Sequence, residues 1–126
     1  MTLGKCKTIL IVDDEDSVRR LIARILGLEM YRILEAGHGE EALSVSEAYP
    51  GEIDLLVTDI MMPIMNGKEL ATRLTNLRPG LGVLFISGYP GMYMPEGLET
   101  RSKCDYMAKP FRANALLDKV KALIGD

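Results

Sequence analysis

One histidine and two cysteines among 126 residues narrow the chemistry open to this chain. A zinc site or other nitrogen-rich metal site draws on several His or Cys ligands, so a single histidine makes one a poor fit. Cys6 and Cys104 are too few for a disulfide framework and show no C-x-x-C spacing, so both are expected as reduced thiols. No apolar run approaches the ~18 to 20 residues of a membrane span. The opening Met1-Thr2-Leu3-Gly4-Lys5 lacks the apolar region of a secretion signal, and a cytoplasmic location is expected. Clustered basic charge is missing too. The net charge is −3 and the pI about 5.2, with Lys and Arg scattered along the chain. That argues against a nucleic-acid footprint. The short set Arg19, Arg20 and Arg24 is expected on the solvated side of a helix. Neither G-x-G-x-x-G nor a P-loop is present, which disfavours a nucleotide-binding enzyme. No repeat, linker or low-complexity tract breaks the chain, and its length suits one domain over residues 1–126, with a core from about Lys7 to Ile124.

What is present is an alternation of two periods. Thr8 to Val12 is a continuous apolar and β-branched run, the pattern of a strand buried on both faces. Val18, Leu21, Ile22, Ile25, Leu26 and Leu28 then recur at helical spacing, with Asp16 or Ser17 as the cap and Gly27 near the end. A second strand is expected over Tyr31 to Glu35. Gly37-His38-Gly39 breaks the chain, placing His38 in an exposed turn, and a helix follows from Glu40 to Ala48. The third strand is Asp54 to Thr58. Asn66 and Glu69 have the spacing of a capping box, opening a helix from Gly67 to Leu77 with Leu70, Leu74 and Leu77 on one face. Gly82 to Ser87 and Asp105 to Ala108 read as strands, and Ala113 to Ile124 as a last helix. Between them, Pro90, Gly91, Pro95 and Gly97 allow only a short helix after Pro95. Five strands alternating with helices imply an α/β fold, a parallel sheet covered on both faces.

Three of the apolar runs end in charge. The first closes on Asp13-Asp14, the third on Asp59, and the fifth on Lys109-Pro110. In open parallel sheets, ligands sit outside the carboxyl ends of the strands, which is where these groups fall. If the first and third strands are neighbours, three carboxylates share a pocket. Two unit charges about 4 Å apart repel by ~4 kcal/mol at an effective dielectric of about 20, so such a pocket must take up protons or a cation. Oxygen ligands without nitrogen or sulfur favour Mg²⁺. A carboxylate can also attack phosphorus to give an aspartyl phosphate, and the protein's part in phosphoryl transfer is mainly position and positive charge. Lys109 offers that charge, and the hydroxyl of Ser87, at the end of the fourth strand, offers a hydrogen bond.

Ile11-Val12-Asp13-Asp14-Glu15, then Asp59 through Gly67 (D-I-M-M-P-I-M-N-G), then Ser87-Gly88-Tyr89, then Lys109-Pro110-Phe111 resemble the receiver domain of two-component response regulators. The resemblance runs from about Lys7 to Ile124. It implies a flavodoxin-like, doubly wound three-layer sandwich with strand order 2-1-3-4-5. It also implies roles. Asp59 matches the phosphoacceptor. Asp14, Asp59 and the backbone carbonyl of Met61 match the Mg²⁺ ligands, and Mn²⁺ is an alternative ion. Asp13 matches the acid that acts on the metal through water. Lys109 pairs with the phosphoryl group, and Ser87 and Tyr106 match the switch pair. Lys109-Pro110 matches a cis peptide bond.

The implied donor is a phosphohistidine on a sensor histidine kinase or phosphotransfer domain, with an unspecified downstream protein and no nucleic acid or membrane as partner. Such a chain is not a conventional enzyme, although it promotes its own phosphorylation and dephosphorylation. It fits a stand-alone regulator or the receiver module of a hybrid histidine kinase. Ser87-Gly88-Tyr89 resembles the latter, which would place it on the cytoplasmic side of a membrane-bound protein. The rival readings are a receiver-like interaction module without phosphorylation and an aspartyl-phosphate phosphatase. Against the phosphatase, Asp59 has no second acid two residues on. Met61 stands there instead. Its side chain cannot help place attacking water, so a slowly hydrolysing acyl phosphate is expected. The check is the dephosphorylation rate of Met61→Asn beside the parent, with a faster variant expected and equal rates refuting the idea.

Overall fold

The computed structural model describes residues 6–88 and 103–125. Its elements run β1 (Thr8–Val12), α1 (Asp16–Gly27), β2 (Arg32–Ala36), α2 (Gly39–Ala48), β3 (Leu55–Asp59), α3 (Gly67–Leu77), β4 (Gly82–Ser87), β5 (Cys104–Ala108) and α4 (Ala113–Ile124). The short helix expected after Pro95 lies outside the described residues. Among the described residues no helix is long and apolar enough to cross a membrane.

All five strands are parallel, in the order β2-β1-β3-β4-β5. Side chains of a strand alternate between its faces, and in β1, β3 and β4 both faces are buried, while the edge strands β2 and β5 are partly exposed. Leu10 and Val12 of β1, Leu56 of β3, and Val83 and Phe85 of β4 join one core with Ala42 of α2 and Leu70, Ala71 and Leu74 of α3. Ile9 and Ile11, Leu55 and Val57, and Leu84 and Ile86 face the other way. They pack with Ile22 and Leu26 of α1 and with Leu116, Val120, Leu123 and Ile124 of α4. The result is the doubly wound three-layer arrangement. The unbroken apolar runs of β1, β3 and β4 go with having no solvent-facing side.

The structure corrects several local expectations. Strand β2 begins at Arg32 and β3 ends at Asp59, each one residue later than the pattern suggested. Glu15, not Asp16 or Ser17, occupies the N-cap of α1, and no side chain caps it. The carboxylate of Asp13 accepts from the Glu15 N–H at 2.9 Å instead. Of the presumed apolar face, Leu21, Leu28 and Leu77 are exposed. The buried stripe of α1 is narrow, centred on Ile22 and Leu26, and Leu28 lies beyond the helix end. Arg19 is not solvated. Its guanidinium reaches Asp16 at 2.8 Å and Glu35 at 3.2 Å, and donates to the Asp13 carbonyl at 2.9 Å. His38 is exposed as expected but also caps α2, where its Nδ1 accepts from the Glu41 N–H. Asn66 caps α3 by accepting from the Glu69 N–H at 2.9 Å, while the Glu69 carboxylate turns to Arg73 and leaves the capping box half made.

Candidate active site

Pairing along the sheet explains how distant residues meet. Val12 lies beside Thr58, Asp59 beside Ile86, and Ser87 beside Ala108. At these pairs or just past them the strands stop, leaving Asp13-Asp14, Asp59, Ser87 and Lys109 along a single edge. Carboxylate oxygens of Asp13, Asp14 and Asp59 all lie within 4.8 Å of one another. Asp13 and Asp59 are buried, and Asp14 opens to solvent.

Lys109 closes the cluster. Its Nζ is 3.1 Å from Asp59 Oδ2, 3.4 Å from Asp13 Oδ2 and 3.7 Å from Glu15 Oε1. The Lys109-Pro110 bond is cis, and the Lys109 N–H donates to the Ser87 carbonyl at 2.8 Å. This ties the start of the β5–α4 connection to the end of β4. Asp59 is held from several sides. Its Oδ1 accepts from the Met61 N–H at 3.1 Å, and its backbone carbonyl accepts from the Thr58 hydroxyl. A methyl group on Gly67 would run into that carbonyl, so only glycine lets α3 begin so close behind Asp59.

Burial pushes the Asp13 carboxyl above its ordinary range, against the opposing pull of the Glu15 N–H and the Lys109 ammonium. Burial also works against the charge of Lys109, but Asp13 and Asp59 outweigh it and hold the amine protonated above its usual range. One ammonium among three carboxylates leaves an excess of negative charge. An all-oxygen set of this kind suits a hard divalent cation, which accepts one or two carboxylates and keeps several waters. The donor chemistry therefore fits the acidic metal pocket of receiver domains.

The sequence placed Asp13, Asp14, Asp59 and Lys109 at one site, and the structure brings all four together. Ser87 is buried at the same edge, at the end of β4. Tyr106 sits lower in β5, beside Phe85, half-buried against the α2–α3 side of the core. Two participants were not anticipated. Glu15 adjoins Lys109, and its place directly after Asp13-Asp14 was the available signal. Arg19 grips the Asp13 carbonyl from a full helical turn and more away, and its sequence surroundings gave no sign of it.

The description of a response regulator receiver domain matches residues 9–121 of the chain. Sensor kinase CckA of Brucella abortus is 36% identical over 97% of this chain, which spans only 13% of that much longer protein. The response regulator receiver protein CpdR of the same organism is 29% identical over 94% of this chain and 97% of its own length. Among solved structures, the response regulator TrrA of Thermotoga maritima, in complex with Mg²⁺ and BeF, is 33% identical. It covers 93% of this chain and 98% of its own, with a TM-score of 0.78. Sheet order, site geometry and a family match over most of the sequence agree, and the chain belongs to the response regulator receiver-domain family.

Proposed function

We propose that Asp59 is the phosphoacceptor of this receiver domain and that it takes its phosphoryl group from a phosphohistidine. The carboxylate oxygen of Asp59 forms the new bond to phosphorus. The bond from phosphorus to the imidazole nitrogen breaks, and that nitrogen keeps the electron pair. The observation that carries this reading is the approach of Lys109 Nζ to Asp59 Oδ2 at 3.1 Å within the acid cluster. That ammonium is placed to meet the negative charge spread over the phosphoryl oxygens.

Asp14, Asp59 and the backbone carbonyl of Met61 would hold Mg²⁺ or Mn²⁺, with Asp13 acting through water. When bound, the cation neutralises phosphoryl oxygen charge that Lys109 alone cannot balance. The chain's own residues do the rest. The Met61 N–H fixes one oxygen of Asp59 and leaves Oδ2 on the side of Lys109. Phosphorylation adds roughly 1.5 to 2 negative charges and three acceptor oxygens. Ser87 and Lys109 are drawn to them, and Tyr106 turns inward as the β4–β5 side of the sheet changes its packing, a shift between two populations.

The donor in this reading is a sensor histidine kinase or a phosphotransfer domain. The chain acts as one receiver unit across residues 1–126, either stand-alone or within a hybrid kinase, on the cytoplasmic side. The test compares labelling of the parent and of Asp59→Asn by acetyl phosphate and by a phosphohistidine donor, with Mg²⁺ and with a chelator. Loss of label in the variant and on chelation is expected. Labelling of Asp59→Asn at the parent's level refutes the assignment.

A further inference from the structure

Ile64 is an awkward residue in an awkward place. Its φ of 70° lies in the left-handed region, where a β-branched side chain crowds its own backbone and Gly or Asn sits easily. Its side chain is 97% exposed, so burial within the chain compensates nothing. The turn that carries it is pinned. Met62 and Met65 on either side are buried, and Met65 packs so tightly on Gly39 that a methyl group there would come within 2.6 Å of its sulfur. The Met65 N–H donates to the Pro63 carbonyl at 2.7 Å, and the Gly67 N–H to the Ile60 carbonyl at 2.9 Å. Ile64 therefore projects from a fixed support, with half-exposed Met61 in the same turn. A cavity of about 300 Å³ runs between this turn and the start of α2, walled by Ile64, Pro63 and Met65 together with Asp14 of the acid cluster. The apolar tip and the candidate metal-binding acid thus border one depression.

We propose that Ile64, with Met61, is an apolar lip that seats the protein presenting the phosphohistidine, and that it governs transfer from a protein donor but not from a small one. This rests on Asp59 being the phosphoacceptor. A donor histidine has to come within bonding distance of Asp59, and the protein surface around that histidine then covers the neighbouring turn. Removing the Ile64 side chain from water on docking is worth at least about tenfold in kcat/KM. Acetyl phosphate carries no such surface and gains nothing from the lip. An exposed isoleucine held in a conformation that suits glycine is explained by contact with another protein.

The experiment uses the full chain and two classes of probe: acetyl phosphate, and a set of autophosphorylated sensor histidine kinase cores, from which the fastest donor to the parent is chosen. Ile64→Asn and Ile64→Gly are expected to lose at least about tenfold in kcat/KM with the kinase core, chiefly through KM. Their labelling by acetyl phosphate should match the parent's. Ile64→Val should keep most of the transfer. The Tm of Ile64→Asn should equal or exceed the parent's, because asparagine relieves the left-handed strain. Equal transfer to parent and Ile64→Asn, equal losses with both donors, or a parent that no kinase core labels would each overturn the proposal. So would a dimer of the parent that Ile64→Asn dissolves, since that assigns the lip to a second copy. Asp59→Asn separates the two claims. Label retained there breaks the phosphoacceptor reading, whereas label lost there with no effect of Ile64→Asn breaks only the lip.

Discussion

Asp13 illustrates how one buried carboxylate works against stability while preparing a site. It is almost fully buried, lies in contact range of two other acids, and is only partly compensated by Lys109 at 3.4 Å and by the Glu15 N–H. Burial raises its pKa above the ordinary 3.8, so ionising it costs more in the folded chain than in the unfolded one. Its contribution to stability is complete below that ordinary value and is lost as pH rises through the raised one. In metal-free buffer at neutral pH, Asp13→Asn is therefore expected to raise Tm by a few degrees. Adding Mg²⁺ should stabilise the parent more than the variant, and the gap between them should close in acid below about the ordinary carboxylate pKa. Thermal scans across pH, with and without Mg²⁺, check this. A variant that melts below the parent in metal-free buffer would contradict the electrostatic account. Lys109 works in the opposite direction, since its stabilising charge persists to alkaline pH and is lost only above its raised pKa. These residues were legible in the sequence because each ends an apolar run. Arg19 was not legible. A helical arginine with charged neighbours reads as solvated until the turn between β1 and α1 folds its guanidinium back onto the Asp13 carbonyl.

The elements show the same division between local pattern and long-range contact. The nine elements among the described residues were readable to within a residue or so, because buried strands and one-sided helices leave different periods. The width of each helix's buried stripe was not readable. Leu21 and Leu77 keep the helical spacing, yet they fall outside the arc that meets the sheet. The junction of α2 and α3 is a further case. Arg78, at the C-cap of α3, donates to the Ser46 hydroxyl and to the carbonyls of Ser46, Tyr49 and Gly51 at 2.8 to 3.1 Å. Among them, the Ser46 carbonyl in the last turn of α2 otherwise receives only a 3.3 Å bond from the Tyr49 N–H at the C-cap. In the sequence Arg78 looks only like a stop signal before Pro79-Gly80. Replacing it with alanine is expected to destabilise the fold by about 2 kcal/mol, since charged hydrogen bonds of this kind are worth more than neutral ones. Urea unfolding should show a lower midpoint with an unchanged slope. Labelling by acetyl phosphate should survive, because Arg78 lies at the far end of the elements from Asp59. An unchanged midpoint would mean that water replaces the guanidinium without loss.

At the scale of the whole molecule, the parallel sheet turns acids separated by more than forty residues into one pocket. The sequence indicated five parallel strands and a charged carboxyl edge from periodicity and spacing. The order β2-β1-β3-β4-β5 came from resemblance, because hydrophobic runs state that a strand is buried without naming its neighbours. The order matters chemically. With β1 and β3 adjacent, Asp13 and Asp14 meet Asp59. With β5 beyond β4, Lys109 leaves the sheet at the same edge and reaches back to Asp59 and Asp13. The most direct test of the central claim is to locate the phosphoryl group itself. The chain is incubated with acetyl phosphate and Mg²⁺, digested at low pH and mapped by mass spectrometry. One phosphoryl group on the peptide holding Asp59, absent when Mg²⁺ is chelated, is the predicted result. A phosphoryl group on Asp13, Asp14 or Ser87, or one that forms as readily without the cation, would contradict the account.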